Sequence, residues 1–146
     1  LFVDSYRKLA ELQEPVLVEI PLAAFVERIR TLYPDLEWHI SIPLSATMFT
    51  DENMLRQVLI NLVKNACEAG ATAMDVRWNK ELWISNNGAP IPADVERETF
   101  VPFFTTKKNG SGIGLSLSRQ MMVRQGRDLC LAERPGPGFQ VTFIVS

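Results

Sequence analysis

The sequence has little of what marks several large classes of protein. It contains one histidine and two cysteines in 146 residues, and its formal net charge is −2, with acidic and basic residues interspersed. Cys67 and Cys130 have the spacing of neither a zinc knuckle nor a redox pair, so we expect two buried thiols in a reducing compartment. Because no basic patch is present, binding to nucleic acid or to an anionic membrane is not expected.

Targeting and membrane signals are also missing. No apolar run approaches the ~20 residues of a membrane span, and the start LFVDSYRKLAEL lacks the basic flank and cleavage site of a signal peptide. That start lies inside a helical pattern, so we expect the chain to be a piece of a longer protein. The length and the 47% of hydrophobic residues favour a single domain with a sizeable core.

Hydrophobic periodicity predicts groups of strands separated by helices. Helices are predicted at 2–12, 21–33, 51–69 and 93–97 and from the last glycine of a glycine-rich loop to about 126; strands are predicted at 16–20, 36–42, 46–49, 73–78, 82–85, 129–132 and 139–145. We expect the strand at 46–49 to pair with the strand at 36–42. This order favours an α+β fold, a two-layer sandwich with a mixed, mostly antiparallel sheet and helices on one face.

The glycine-rich loop is the first candidate site. Gly110, Gly112 and Gly114 alternate and lead into an apolar helical pattern. Backbone without Cβ atoms approaches an anion closely, and the first turn of a helix offers free N–H groups, so this loop is suited to phosphate. Lys107 and Lys108, just upstream, would reach a terminal phosphate. The alternative is a simple glycine turn that caps a helix.

Two asparagines on the predicted helix at 51–69 form a second candidate site. Asn61, Asn65 and Glu68 fall on one stripe beside the apolar face. Each asparagine costs a helix about 0.6 kcal/mol relative to alanine, so a pair at i and i+4 favours a function. The amide oxygen of Asn65 suits Mg²⁺, which needs only one or two protein ligands. The alternative is that both amides hydrogen-bond neighbouring loops.

A third candidate site follows the strand at 82–85. Asn86, Asn87 and Gly88 begin a loop at a strand end, where binding residues collect, and an amide there would meet the edge of a purine. The alternative is an ordinary Asn-Gly turn.

The order of these pieces resembles a known family. NLVKNACEA, NNGAPI, FVPFFTTK and GSGIGLSLS resemble the N, G1, F and G2 boxes of sensor histidine kinases, in the catalytic, ATP-binding domain with the Bergerat fold. The resemblance begins near Leu22 and implies ATP and Mg²⁺ as cofactors. It also implies a catalytic domain at 15–146 with an ATP lid at about 89–109. Residues 1–14 would be a linker or the end of a dimerisation and phosphoacceptor helix.

The resemblance also assigns roles to residues. Asn61, Asn65 and Lys107 would be catalytic, and Asn65 would hold the magnesium ion. The implied ATP-binding residues are Asn61, Asn65, Glu68, Ala69, Asn86, Gly88, Ile91, Phe100, Thr105, Thr106, Lys107, Gly110, Ser111, Gly112, Ile113, Gly114 and Leu115.

Three residues depart from the family pattern. Asn86 replaces the aspartate that binds the adenine amino group; its carbonyl still accepts a hydrogen bond but carries no charge, and a rotated amide would instead donate to O6 of guanine. Pro90 replaces a glycine and stiffens the entry to the lid. Glu68 stands where many members have a basic residue.

Transfer of phosphate to another domain is the reaction that the resemblance favours. ATPases of the superfamily have a glutamate where this chain has Asn61, and an amide is no general base. His39, the only histidine, lies on the polar face of a predicted strand and is expected to be structural. The implied partners are the histidine phosphoacceptor and dimerisation domain of a homodimeric, cytoplasmic or membrane-anchored parent and a response regulator receiver domain. This piece alone is expected to be a monomer. The alternative is a degenerate nucleotide-binding or docking module.

Overall fold

The computed structural model describes residues 14–92, 96, 99–100 and 114–146. Within these ranges the strands are β1 (Leu17–Pro21), β2 (Glu37–Ser41), β3 (Thr47–Asp51), β4 (Ala73–Trp78), β5 (Leu82–Asn86), β6 (Leu129–Leu131) and β7 (Val141–Val145), and the helices are α1 (Leu22–Thr31), α2 (Glu52–Glu68) and α3 (Gly114–Val123). The predicted helices at 2–12 and 93–97 lie outside the described residues, apart from residue 96.

The main sheet has the order β2-β4-β5-β7-β6, with β2 parallel to β4 and all other neighbours antiparallel. This confirms the mixed, mostly antiparallel sheet. The predicted partner of the strand at 46–49 was wrong, because β3 pairs with β1 in a separate antiparallel ribbon. A hydrogen bond flanks the β1–β3 ladder at each end: Val16 N–H donates to Asp51 Oδ2 at 2.8 Å, and Leu22 N–H donates to Ala46 O at 3.1 Å.

The core lies on one face of the main sheet. Alternate residues of β4 and β5, such as Met74, Val76 and Ile84, point to that face and belong to the same buried hydrophobic cluster as residues of all three helices. The residues between them point to the opposite face, where Ser85 and Thr142 share a hydrogen bond of 2.7 Å across β5 and β7. The helices therefore cover one side of the sheet, as the two-layer prediction requires.

Helix α2 passes through the centre of this core. The Oδ1 atom of Asp51 accepts a hydrogen bond from Met54 N–H at 2.9 Å and caps its first turn. Gly70, with a φ of +85°, ends it in the left-handed region that glycine adopts freely. The apolar face predicted for this helix is confirmed except at its end: Leu55, Val58, Leu59, Leu62, Val63 and Ala66 are buried, whereas Ala69 is half-buried.

Two burial predictions were wrong. Cys67 is exposed, because it lies about 100° around α2 from the buried Ala66 and faces away from the sheet; Cys130 is half-buried. Leu32, which falls within the predicted helix at 21–33, is 57% exposed because α1 ends one residue before it. His39 is exposed on β2, as predicted, and its Nε2 lies 3.0 Å from the Glu37 carboxylate. In the part of the chain that the structure describes, no helix is long and apolar enough to cross a membrane.

Candidate nucleotide-binding site

Asn61 connects α2 to the start of α3. Its Nδ2 donates to Ser118 Oγ at 2.9 Å and, more weakly, to Gly114 O at 3.3 Å, while its Oδ1 accepts from Gln57 Nε2 at 3.0 Å. Ser118 is fully buried and donates in turn to Gly114 O at 2.8 Å. For Asn61 the alternative therefore applies: its amide forms hydrogen bonds to a neighbouring element. This network positions the first residue of α3 against α2.

Asn65 differs from Asn61. It lies one turn further along α2 and is half-buried, and its side chain makes no hydrogen bond to any described residue. An amide oxygen that is held near the core without a donor among the described residues is available to a ligand. Glu68 is exposed on the next turn, and Ala69, the C-cap residue of α2, is half-buried.

A tight turn follows β5 on the helix-covered side of the sheet. Asn86 is only 3% exposed, and its Oδ1 accepts a hydrogen bond from Gly88 N–H at 2.9 Å. This Asx turn is held by glycine for a steric reason: a Cβ at position 88 would lie 3.0 Å from Ala69 Cβ and 3.1 Å from Ala69 O. The turn after β5 and the end of α2 are therefore in direct contact.

Two further contacts fix this turn. Ala89 N–H donates to Ala69 O at 2.8 Å, a backbone bond between the turn and α2. The side-chain oxygen of Asn87 accepts from the N–H groups of Thr72 and Ala73 at 2.8 and 2.9 Å, and its Nδ2 donates to Thr72 Oγ1. Asn87 thus has a structural role at the start of β4, while the neighbouring Asn86 faces the helix layer.

Phe100 packs against the same layer from another direction. Its ring meets Phe143 of β7 edge to face at a centroid distance of 6.4 Å, and the Arg119 guanidinium lies 5.5 Å from its centroid. Arg119 also donates to Asp128 Oδ1 at 2.9 Å. Burial raises the pKa of the Asp128 carboxyl, but the hydrogen bonds from Arg119 and from Leu129 N–H, with the charge of Arg119, leave that pKa below its usual value.

The remaining predicted residues divide into two groups. Ile91 and Leu115 are half-buried against the core, and Gly114 is the exposed first residue of α3. The predicted residues Thr105, Thr106, Lys107, Gly110, Ser111, Gly112 and Ile113 lie outside the described part of the chain, as do Lys108 and most of the predicted lid. The described part of the site therefore consists of one side of α2, the turn after β5 and the start of α3.

Sequence reasoning missed three residues that hold these pieces together: Ser118, Ala89 and Arg119. A signal existed only for Ser118, a serine four residues after a glycine that opens a helix, where its hydroxyl can donate a hydrogen bond to the backbone carbonyl of that glycine. Among the described residues, no group of three or more His, Cys, Asp or Glu could hold a metal ion. A metal at this site would therefore rely on amide, phosphate and water oxygens.

Solved structures with this architecture are catalytic domains of histidine kinases. The nucleotide-free catalytic domain of histidine kinase ThkA superposes with a TM-score of 0.74 at 27% identity, covering 89% of this chain and 93% of that domain. ThkA in complex with the response regulator protein TrrA superposes with a TM-score of 0.75 over 99% of this chain and 45% of that one; at 23% identity this match shows the fold alone. Fold and site together define a domain of the histidine kinase catalytic type.

The sequence comparison gives the family. Residues 50–146 match the family model described as histidine kinase-, DNA gyrase B-, and HSP90-like ATPase, and the chain belongs to that family. The signal transduction histidine-protein kinase AtoS of Escherichia coli (strain K12) is 34% identical over 103 residues, which cover 65% of this chain and 17% of AtoS. The chain thus spans less than a fifth of the length of that relative.

Proposed function

We propose that this chain is the ATP-binding catalytic domain of a two-component sensor histidine kinase. The observation that carries the proposal is that α2 is hydrogen-bonded to two segments distant in the sequence. Asn61 bonds to Ser118 of α3, and Ala69 bonds to Ala89 of the turn after β5. The relatives found by sequence, such as AtoS, are sensor histidine kinases, and the family model matches residues 50–146, which include α2 and the strands beyond it. These contacts bring residues distant in the sequence to one side of α2, where in this proposal they would contact one extended ligand.

Each segment supplies a different part of the proposed ATP site. The exposed start of α3 at Gly114 offers N–H groups of a first helical turn to the phosphates. Asn86, buried at the end of β5, faces the base. The predicted residues of the glycine loop and Lys107 would complete the phosphate side.

Magnesium fits the same arrangement. Asn65 has the one side-chain oxygen in this part of α2 that is half-buried and accepts no hydrogen bond from a described residue, so it would serve as the protein ligand. When bound, the ion would neutralise phosphate charge. Asn61 would act by positioning Gly114, since its own amide is occupied by Gln57 and Ser118.

Transfer to histidine is favoured over hydrolysis. Neither Asn61 nor Asn65 can remove a proton from water at neutral pH, so α2 offers no general base at the positions nearest the phosphates. In the proposed step a neutral imidazole nitrogen of the phosphoacceptor domain attacks the γ-phosphorus. The P–N bond forms, the bond to the β–γ bridging oxygen breaks, ADP leaves with that electron pair, and the second imidazole nitrogen releases its proton to solvent.

The proposed partners follow from this step. The phosphoryl group would pass from the histidine to a response regulator receiver domain, which is the kind of partner seen with ThkA. The phosphoacceptor domain would belong to the same, homodimeric parent protein and act in the cytoplasm. We do not expect His39 to serve as acceptor, because it lies on the edge strand β2 beside Glu37 and not on a helix.

Phosphoryl transfer in trans tests the proposal. The chain is mixed with the histidine-bearing helices of its parent, Mg²⁺ and γ-labelled ATP, and an acid-labile phosphohistidine is expected on the helices but not on this chain. Asn65→Ala should abolish the label, whereas Lys64→Ala, a change at the exposed neighbouring position, should retain it. Nucleotide binding without any transfer would contradict the kinase and favour a degenerate module; label on His39 would contradict the proposed direction of transfer.

A further inference from the structure

We propose that Gln125 is a positioning residue for the nucleotide site, because it fixes the position of α3 along α2. The inference rests on the proposed function, in which Asn65 of α2 holds the metal ion and the first turn of α3 binds the phosphates. A metal ion and the phosphates of one nucleotide need these two helices at a fixed separation. Gln125 lies in the turn that ends α3, at the opposite end from Gly114.

The side-chain amide of Gln125 is fully hydrogen-bonded. Its Oε1 accepts from Asp51 N–H at 3.0 Å and from the hydroxyl of Thr50. Its Nε2 donates to Met121 O at 3.1 Å and to Met54 Sδ at 3.4 Å. The N–H donor at one end and the carbonyl acceptor at the other define the orientation of the amide. This one side chain therefore joins the end of α3 to the end of β3 and to the first turn of α2.

Helices α2 and α3 are thus joined at two points with equal spacing. Ser118 bonds to Asn61 near the start of α3, and Gln125 bonds to Met54 just after its end. Along each of the two segments the contact points are seven residues apart, a distance of about 10.5 Å in an α-helix. The later residue of α3 meets the earlier residue of α2, so the helices run in opposite directions. A shift of α3 along α2 would break both contacts at once.

These two contacts restrain α3 in a way that its apolar packing does not. The apolar residues of α3 are buried in the core, but the hydrophobic effect is non-directional and permits small tilts. Without Gln125, the bond of Ser118 would act as a single pivot. Gly114 lies ~6 Å from Ser118 along the helix axis, so a tilt of ~10° about that pivot moves the first turn by ~1 Å. A misplacement of ~1 Å in a preorganised site costs up to about 100-fold.

Calorimetric titration of the full chain with ATP, in Mg²⁺ and in EDTA, tests the inference. The ratio of the two affinities measures the part of the binding that needs Asn65 and α3 at a fixed separation. Gln125→Met keeps the length of the side chain but removes its polar contacts, and we expect this ratio to fall about tenfold or more. Thermal unfolding shows whether the variant is folded at the temperature of the titration. Gln125→Asn is one methylene too short to reach both β3 and Met121, should give the same fall, and replaces Gln125→Met if that variant does not fold.

Ser85→Ala is the matched control. It removes a buried hydrogen bond of 2.7 Å to Thr142 on the opposite face of the main sheet, so it lowers stability without changing a contact of α2 or α3. The affinity ratio should stay at its wild-type value.

An unchanged ratio in the Gln125 variants, whatever their loss of stability, would overturn this inference alone, because Gln125 would then only stabilise the fold. An equal fall in Ser85→Ala would overturn it as well, as would ATP binding by the wild-type chain that does not depend on Mg²⁺. Absence of ATP binding by the wild-type chain would overturn the proposed function and this inference together.

Discussion

Asn61 Nδ2 donates a hydrogen bond to Ser118 Oγ at 2.9 Å, and this bond joins the middle of α2 to the first turn of α3. Ser118 is fully buried, and its hydroxyl donates a hydrogen bond to Gly114 O at 2.8 Å. The three groups form a chain in which each hydrogen has an acceptor. The position of the first residue of α3 is thereby set by a side chain of α2.

Replacing Ser118 with alanine breaks this chain. We expect Ser118→Ala to lower the free energy of unfolding by about 1–3 kcal/mol, because Asn61 loses its buried acceptor, and to weaken ATP binding through misplacement of Gly114. Denaturant unfolding and calorimetric titration measure the two effects. Gln57→Ala, which removes a bond to the same Asn61 from the exposed side, should cost no more than about 0.5 kcal/mol. Equal losses in both variants would contradict the assignment of the buried bond as the important one.

Asn65→Ala should separate binding from stability. The side chain makes no hydrogen bond to the described residues, and alanine is the better helix former by about 0.6 kcal/mol. The free energy of unfolding should therefore be unchanged or slightly higher. Magnesium-dependent ATP binding should disappear. Titrations with and without EDTA check this, with Lys64→Ala as the exposed control on α2. Retention of the magnesium dependence would remove Asn65 from the metal site.

Gly88→Ala should damage both fold and site. The added Cβ would meet Ala69 Cβ at 3.0 Å and the backbone oxygen of Ala69 at 3.1 Å, and neither atom belongs to a flexible side chain. We expect a loss of about 1–3 kcal/mol in unfolding free energy and weaker nucleotide binding, because the turn must move off α2. Gly136→Ala is the control, since its nearest neighbour, Ser85 Oγ, is at 3.5 Å. A fully stable Gly88→Ala chain would show that the turn is free to shift.

Asp51 serves two elements with its two oxygens. Oδ1 caps α2 at Met54 N–H, and Oδ2 accepts from Val16 N–H at 2.8 Å. We expect Asp51→Ala to cost about 2 kcal/mol in unfolding free energy, because both donors lose their acceptor. Asp51→Asn keeps one acceptor oxygen and should lose about half as much. Urea denaturation of the two variants measures the difference, and identical midpoints would mean that only one of the two bonds contributes.

The exposed thiol of Cys67 should be slow to alkylate. Partial burial, followed by the neighbouring Glu68 carboxylate, raises the pKa of this thiol. Since the thiolate is the reactive form, a raised pKa leaves less of it at a given pH. The rate of the iodoacetamide reaction should therefore rise at a higher pH than it does for N-acetylcysteine. The measurement uses a Cys130→Ser background. Glu68→Gln should move this rise to lower pH. A rise at a lower pH than for N-acetylcysteine would contradict the raised pKa.

Some of these features could be predicted from the sequence because they are local. The cap at Asp51 and the apolar face of α2 depend on residues within a few turns of each other, and the alternation in β4 and β5 depends on neighbours two residues apart. The partner of β3 could not be predicted, because a short strand carries its own pattern but no information about which strand completes its ladder. The burial of Cys67 was predicted wrongly because this residue lies next to the apolar face of α2, and the sequence does not show whether a small apolar residue at that boundary is buried or exposed.

The candidate site also has features that the sequence predicts and features that depend on contacts between distant segments. The order of the boxes places Asn65, Asn86 and Gly114 in one predicted site, and the described structure adds the contacts between their segments. The orientation of the Asn86 amide could not be read from an Asn-Gly dipeptide, because it depends on the backbone of Gly88, which the end of α2 crowds. The occupation of Asn61 by Ser118 likewise depends on an element 57 residues away.

The contacts of α2 with Ala89 and with Ser118 have a thermodynamic consequence. Three segments that lie apart in the unfolded chain hold their mutual positions only in the folded one, so a nucleotide that touches all three binds the native state alone. Its binding energy is then added to the stability of the domain, about 2.7 kcal/mol at a free concentration 100 times the dissociation constant. The resistance of this domain to unfolding would therefore follow the nucleotide concentration around it.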